Sequence, residues 1–274
     1  MDNYFSPLRV LPIQFTRGCD WRKCVFCTHH YLYRGVYKPL NLNKVVNWIS
    51  EFKEKYKTDL FIFNDENFSA SRLSKLSDEI LKSKLEAFYY AYARPTSVFT
   101  KPVLQKMHQA GFRILVWGLE SANKRVLDLM NKGTDLSKIP AILENAYDLG
   151  ISNHLFSMFG FPTETRAGCE NTVEFFKKYQ KFIDYILLQD FHFDIESPLG
   201  QNHLDYGITE VGVGHPNFKV KEGISPEEAI KFVLDIKKKM LFENLPIRNN
   251  RYPIIYQVSD RIRLFDLVAH GFTK

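Results

Sequence analysis

The sequence predicts an α/β fold: a parallel sheet with helices packed outside it. Three observations carry this. Apolar strand-like runs alternate with helical periodicity about six times between residue 8 and about residue 200. Each strand run gives way to a polar or glycine-bearing segment and then to a helix, as in βαβ units. The 274 residues, 45% of them hydrophobic, are enough to bury one large core.

The elements follow in order. Leu8 to Thr16 is an apolar run ending at Arg17-Gly18. Leu42, Val45, Val46, Ile49 and Phe52 recur at helical spacing after Asn41, a candidate cap. Asp59 to Phe63 reads as a short buried strand running into Asn64-Asp65-Glu66-Asn67, and Leu73, Leu76, Ile80 and Leu81 mark the next helix. Ala87 to Ala93 is an aromatic-rich strand before Arg94-Pro95. Thr100 and Pro102 start a third helix, which ends at Gly111. Phe112 to Gly118 is a strand leading to Leu119-Glu120-Ser121, and helices over 123–132 and 136–149 are each closed by a glycine, Gly133 and Gly150. His154 to Phe159 runs into Gly160-Phe161-Pro162-Thr163-Glu164-Thr165, Val173 to Phe182 is helical, and Tyr185 to Phe193 is the sixth strand. Residues 197–224 are rich in Gly and Pro and read as loop. Ser225-Pro226-Glu227-Glu228 is a capping box, followed by a helix with Ile230, Val233 and Leu234 on one face. The tail from 243 to 274 carries no clear chemistry. In parallel α/β folds the edge after each strand carries the chemistry, so these polar segments converge on one rim.

Cys19, Cys24 and Cys27 lie within nine residues, and Cys169 is the one other cysteine. Three thiols on one short loop read as a site. Three thiolates can hold three corners of a cubic iron–sulfur cluster and leave the fourth iron open to a small molecule. Other readings stand beside it. Zinc on the three cysteines with His29 or His30 is one, although a second ligand pair is missing. A ferredoxin-type cluster with Cys169 as its fourth ligand is another, since C-x4-C-x2-C matches the start of the plant-type spacing. A disulfide with a spare thiol is the third.

Charge and composition narrow the class. The net charge is +6, from 37 basic and 31 acidic residues spread along helical faces, so a nucleic-acid partner is unsupported. No apolar run reaches membrane-spanning length, and Met1 to Pro7 lacks the basic start and apolar stretch of a secretory signal. The expectation is a cytoplasmic protein with reduced thiols and no membrane partner.

At this point the motifs resemble the radical S-adenosylmethionine (SAM) superfamily. The resemblance rests on the cysteine loop with Phe26 before its last cysteine, on Gly118-Leu119-Glu120-Ser121 followed by Arg125 to Gly133, on Gly160 to Thr165, and on Phe63 to Phe68. With Tyr4-Phe5-Ser6-Pro7 these look most like the branch whose members often carry an N-terminal cobalamin-binding domain. The likeness covers about residues 4–200. It departs from the usual pattern in a first gap of four residues, Asp20 to Lys23, and in Asn64-Asp65-Glu66 standing where a glycine-rich motif is usual.

The resemblance implies a partial (β/α)6 TIM-like barrel over residues 1–200 with a C-terminal helical and loop extension over 201–274. It implies a [4Fe-4S] cluster on Cys19, Cys24 and Cys27, with SAM chelated at the open iron and cleaved to a 5′-deoxyadenosyl radical that abstracts hydrogen. It further implies Phe26 near the adenine, Glu66 or Asp65 accepting from the methionine ammonium, and Arg94 pairing with the methionine carboxylate. Glu120 and Ser121 would sit near the ribose or methionine end, and Gly160 and Pro162 would shape the adenine pocket. His29, His30 and Cys169 read as bystanders. The substrate is open, a peptide or a small metabolite, and the electron donor is expected to be a flavodoxin or ferredoxin. The alternative is the radical SAM half of a cobalamin-dependent methyltransferase, with cobalamin supplied by a partner or a missing domain. A non-catalytic iron–sulfur or zinc protein is the remaining class.

Overall fold

The computed structural model describes residues 9–28 and 32–242. The 4–7 motif, His29, His30 and the 243–274 tail lie outside the described residues. Six strands form one sheet: β1 Val10–Ile13, β2 Leu60–Phe63, β3 Phe88–Ala93, β4 Phe112–Glu120, β5 Ser152–Phe159 and β6 Tyr185–Asp190. They pair in sequence order and all in parallel. Among the described residues β1 and β6 each have one neighbour, so this is a partial (β/α) barrel. Seven longer helices accompany it: α1 Leu42–Tyr56, α2 Ala70–Ser83, α3 Lys101–Gln109, α4 Lys124–Leu129, α5 Ile139–Asp148, α6 Arg166–Tyr179 and α7 Pro226–Phe242. No helix among the described residues is long and apolar enough to cross a membrane.

The period of two along each strand sorts side chains to two faces. Leu11, Phe61, Phe63, Tyr89, Leu115, Trp117 and Leu155 face the helices in the main core. Val10, Leu60, Tyr90, Ile114 and Val116 face the other way, with Tyr92 and Phe156 packed against them, and line the barrel interior. Both faces are apolar because both are covered, as parallel sheets require. A third cluster caps the rim. It joins Val126, Leu127 and Met130 of the α4 segment to Phe161, Phe191, Phe193 and Phe218.

Local chemistry sets the helix starts. Asn41, Ser69, Asn123 and Thr165 each accept a hydrogen bond from an amide of the first turn. The capping box is complete: Ser225 N donates to Glu228 (2.7 Å), and Glu228 N donates to Ser225 Oγ (3.2 Å).

Several boundaries differ from expectation. The first run splits into β1 and a two-residue strand, Thr16–Arg17, that pairs antiparallel with Lys38–Pro39. The helix expected from Val173 starts at Arg166, because Thr165 caps it, and gives way after Tyr179 to a 3-10 turn over Gln180–Phe182. β6 stops at Asp190, where Phe191 and Phe193 turn into the rim cluster. The supposed loop 197–224 holds a short helix, Pro198–Gln201, and an antiparallel hairpin of Ile208–Val211 with Phe218–Val220. On α7 the buried stripe is Ala229, Phe232, Val233 and Ile236, at helical i, i+3, i+4, i+7 spacing, while Leu234 is 51% exposed.

Candidate active site

The cysteine loop leaves the sheet at the end of β1 and is tied down from several elements. Asp65, just past β2, is 2% exposed and holds the base of the loop. Its carboxylate accepts from Phe15 N (3.1 Å), Thr16 N and Thr16 Oγ1 (2.6 Å). Burial outweighs these bonds and pushes its pKa up to about 6. Gly18 then turns with φ +79°, and a Cβ there would meet Val36 O at 2.1 Å, so only glycine fits.

Asn67 links the loop to β3: its Nδ2 donates to Asp20 (2.6 Å), and its Oδ1 accepts from Arg94 N (2.7 Å). Trp21 Nε1 donates to Asn131 O (2.8 Å), and the Arg94 guanidinium stacks 4.0 Å from the Trp21 ring. Arg94 Nη1 donates to Gly133 O (2.7 Å). Val25 N donates to Met130 O (3.1 Å), while Val25 O accepts from Leu199 N (2.7 Å). The loop therefore sits clamped between the ends of β2, β3 and α4.

Behind the loop the barrel interior opens as a pocket of about 240 Å³. Its floor is the inward stripe: Tyr92, Val116, Gly118 and Phe156. Its mouth carries Cys19, Cys24, Cys27, Trp21 and Phe26. Its polar wall is Glu66, Asn67, Arg94, Glu120 and Lys132. Two larger hollows lie elsewhere among the described residues, and neither is lined by a cysteine.

Glu120 has φ +64° and sits where the β4–β5 register slips between Gly118 and Glu120. A bulge of this kind re-aims a side chain. Its Oε1 is 2.6 Å from Lys132 Nζ, and both residues are 8% exposed. Burial alone lowers the Lys132 pKa; the charges of Glu120 and Cys24 reverse this and raise it. The Tyr33 hydroxyl hydrogen-bonds Glu66, which pushes the phenol pKa up.

All three loop cysteines are half-buried free thiols. Burial pushes Cys24 up to about 11; Lys132 opposes this, and the neighbouring thiols and Glu120 add to it. A metal centre is what turns such crowded thiols into thiolates. The three sulfurs do not all lie within 4.8 Å of one another. Tetrahedral zinc at about 2.3 Å from each sulfur would draw them to about 3.8 Å. A spread wider than this speaks against a single zinc ion on the three thiols as they stand.

A carboxylate also has a fitting donor here. Arg94 Nε is buried on this wall with no hydrogen-bond partner among the described residues.

Seven of the residues expected at the site thus meet at one pocket: Cys19, Cys24, Cys27, Phe26, Glu66, Arg94 and Glu120. Four do not line it. Asp65 is spent on backbone amides. Ser121 is buried; its Oγ accepts from Asn123 N (3.1 Å) and lies 3.3 Å from Thr172 Oγ1. Gly160 N donates to Glu164 (2.8 Å), and a Cβ on Gly160 would strike Ala229 of α7 at 2.4 Å, so this turn faces α7. Pro162 is buried beside it. Cys169 is a buried thiol bonded to Glu164, its pKa pushed up by burial, so it supplies no fourth ligand at the pocket. Sequence reasoning missed Trp21, Asn67 and Lys132. The residues on either side were conspicuous, but these three reach the pocket through tertiary contacts.

Known proteins match this chain in sequence and in fold. The family model described as the radical SAM superfamily matches residues 13–176. An uncharacterized methyltransferase of Pyrococcus horikoshii is 27% identical over 175 residues, covering 63% of this chain and 37% of the relative. The anaerobic magnesium-protoporphyrin IX monomethyl ester cyclase of Rubrivivax gelatinosus is 26% identical, covering 60% of this chain and 30% of its own. The chain thus spans about a third of the length of these relatives. In structure it is similar to TsrM of Kitasatospora setae, a radical S-adenosylmethionine methyltransferase solved with cobalamin and a [4Fe-4S] cluster. That match has a TM-score of 0.65 at 17% identity, over 80% of this chain and 46% of the other. With the family model covering more than half of its length, the chain belongs to the radical SAM superfamily, whose enzymes use a [4Fe-4S] cluster and S-adenosylmethionine.

Proposed function

We propose that Cys19, Cys24 and Cys27 hold the [4Fe-4S] cluster and that SAM occupies the pocket behind them. The observation that carries this reading is the opening of the three-thiol loop onto a barrel-interior pocket with both acidic and basic walls. The cofactors, when bound, supply one electron and a 5′-deoxyadenosyl group for hydrogen abstraction from the substrate.

The chain's own residues have separable tasks in this reading. Glu66 accepts from the methionine ammonium, a charge-assisted bond. Arg94 Nε donates to the methionine carboxylate while its Nη1 keeps the loop clamped. Phe26 and the apolar floor exclude water around the adenosine. Lys132 balances Glu120 and the thiolates across the pocket. We place the working barrel in residues 1–200 and assign the described part of 201–274 to bracing it.

Enzymes of this family need a substrate and a reductant. A flavodoxin or ferredoxin suits the electron transfer, and the substrate is a peptide or a small metabolite. A second reading is favoured by the relatives' names: a methyltransferase whose cobalamin comes from another domain or chain.

The test is anaerobic. The protein is reconstituted with iron and sulfide, reduced, given SAM and assayed for 5′-deoxyadenosine beside a variant with Cys19, Cys24 and Cys27 all changed to alanine. Wild-type-only product supports the main reading. S-adenosylhomocysteine formed only when cobalamin is added supports the second. Uptake of zinc without iron overturns both.

A further inference from the structure

We propose that Asp190, His192 and His215 form a second metal site, for a divalent transition ion of the Zn²⁺ class. It is separate from the cysteine loop, and none of the three residues lines the cysteine pocket. Their ligand atoms all lie within 4.8 Å of one another, which among the described residues is true of no other group of three or more His, Cys, Asp or Glu.

The three donor groups lie close enough together to share one ion. His215 Nε2 lies 2.8 Å from Asp190 Oδ2, and His192 Nε2 lies 3.9 Å from the same oxygen. Tetrahedral zinc with bonds of about 2.0–2.1 Å separates its ligand atoms by about 3.4 Å. The two distances bracket that value; the stacked rings must turn apart for both lone pairs to meet one ion, and the His192 side chain, 67% exposed, has room to turn.

A plain Asp–His hydrogen bond accounts for the His215 imidazole, and the His192 ring, stacked on it, keeps its own Nε2 near the same carboxylate. The two rings are stacked 4.1 Å apart and 4° from parallel, with both Nε2 atoms turned to one carboxylate oxygen. Two imidazolium ions in that arrangement would repel each other. Two neutral imidazoles sharing a cation with the carboxylate satisfy every group, and imidazole with carboxylate is a common donor set for such ions.

The scaffold is built before any ion arrives. Asp190 ends β6 and His192 follows two residues later, on the edge where barrel chemistry sits. His215 lies in the connection of the 208–220 hairpin. Phe218 packs against Phe191 (5.6 Å between ring centroids) and Phe193 (5.7 Å), and Asn217 Nδ2 donates to Phe193 O (3.3 Å). These contacts bring His215 to β6 without help from an ion. The His192 side chain is 67% exposed and the His215 side chain 38%, so a fourth coordination position faces solvent. Three protein ligands with one open position are the arrangement of catalytic zinc. An ion here would clamp the hairpin to the barrel rim and offer that position to a carboxylate or carbonyl oxygen of the substrate.

The experiment uses untagged, cluster-loaded protein, stripped of loosely bound metal, titrated with Zn²⁺ and analysed for metal content. Wild type is expected to take up one equivalent of zinc beyond its iron. His192→Ala, at a largely exposed side chain, and His215→Ala should each weaken uptake by at least about tenfold, the size of loss seen when even a supporting residue near a metal is removed. The triple cysteine-to-alanine variant should still bind the ion. Zinc uptake unchanged in the His192→Ala, His215→Ala double variant overturns the proposal. So does uptake that disappears with the cysteines, or no uptake by wild type at all.

Discussion

Lys132→Met probes the pocket wall most directly. Lys132 Nζ is 2.6 Å from Glu120 Oε1. At an effective dielectric constant of about 20, that separation gives roughly 6 kcal/mol of attraction before desolvation. Desolvating the two charges cancels most of it, so the intact pair adds little over an apolar one. Removing the lysine alone is different. It strands the buried Glu120 carboxylate, at a cost of about 3–5 kcal/mol. Methionine keeps much of the volume, so packing loss adds little. Adding Glu120→Gln removes the stranded charge and should recover most of the loss. The assay is anaerobic urea unfolding of metal-free protein, comparing midpoints at constant m. A Lys132→Met variant within about 1 kcal/mol of wild type refutes the reasoning, as does a double variant no more stable than the single.

Other outcomes follow from the same contacts. In cluster-loaded protein, Lys132→Met removes a cation beside Cys24 and Cys27, so the cluster midpoint potential should move to more negative values in a spectroscopic redox titration. Gly133 has φ +64°, and a Cβ there would lie 2.2 Å from the Trp21 ring. Gly133→Ala should therefore cost at least about 1 kcal/mol and unseat Trp21, read as a shift in tryptophan emission and faster proteolysis of the 18–28 loop. Glu164 is held by burial at a pKa of about 7, above its ordinary 4.5. A raised carboxylate pKa means the folded state binds more protons, so its contribution is greatest below pH 4.5 and is lost as pH rises towards 7. Between those limits wild type should lose about 3 kcal/mol relative to Glu164→Gln; parallel stability profiles of the two proteins would contradict this.

The strand–helix order was legible because both faces of the parallel sheet are buried, which leaves apolar runs such as Leu60 to Phe63 and Phe112 to Trp117 in plain view. Boundaries were less legible where tertiary packing decides them. Tyr185 to Phe193 is continuous in sequence character, yet pairing ends at Asp190 because Phe191 and Phe193 are buried against Phe161 and Phe218 instead. The 208–220 hairpin hid for the opposite reason. Its strands are short and largely exposed: Ile208 is buried but the three residues after it, to Val211, are exposed, so no alternation marks them.

The site divides along the same line. Cys19, Cys24 and Cys27 were visible because three thiols so close in sequence read as one site. Residues after each strand were visible as a group, but not sorted, because one residue along a strand end reverses a side chain. Glu66 faces the pocket while its neighbour Asp65 faces the amides of Phe15 and Thr16. Glu120 faces the pocket while Ser121 is turned to Thr172. In each pair both neighbours are polar, so type alone could not choose between them. Orientation is decided by the register of β2 and β4 and by the bulge at Gly118–Glu120, which are properties of the paired sheet. Lys132 lies further from the motifs still. It reaches the pocket because the turn after α4 is held by Trp21, Arg94 and Val25, three contacts from two other segments of the chain. What the cysteine loop needs from the rest of the barrel is therefore a set of anchors rather than ligands, and anchors carry no signature in sequence.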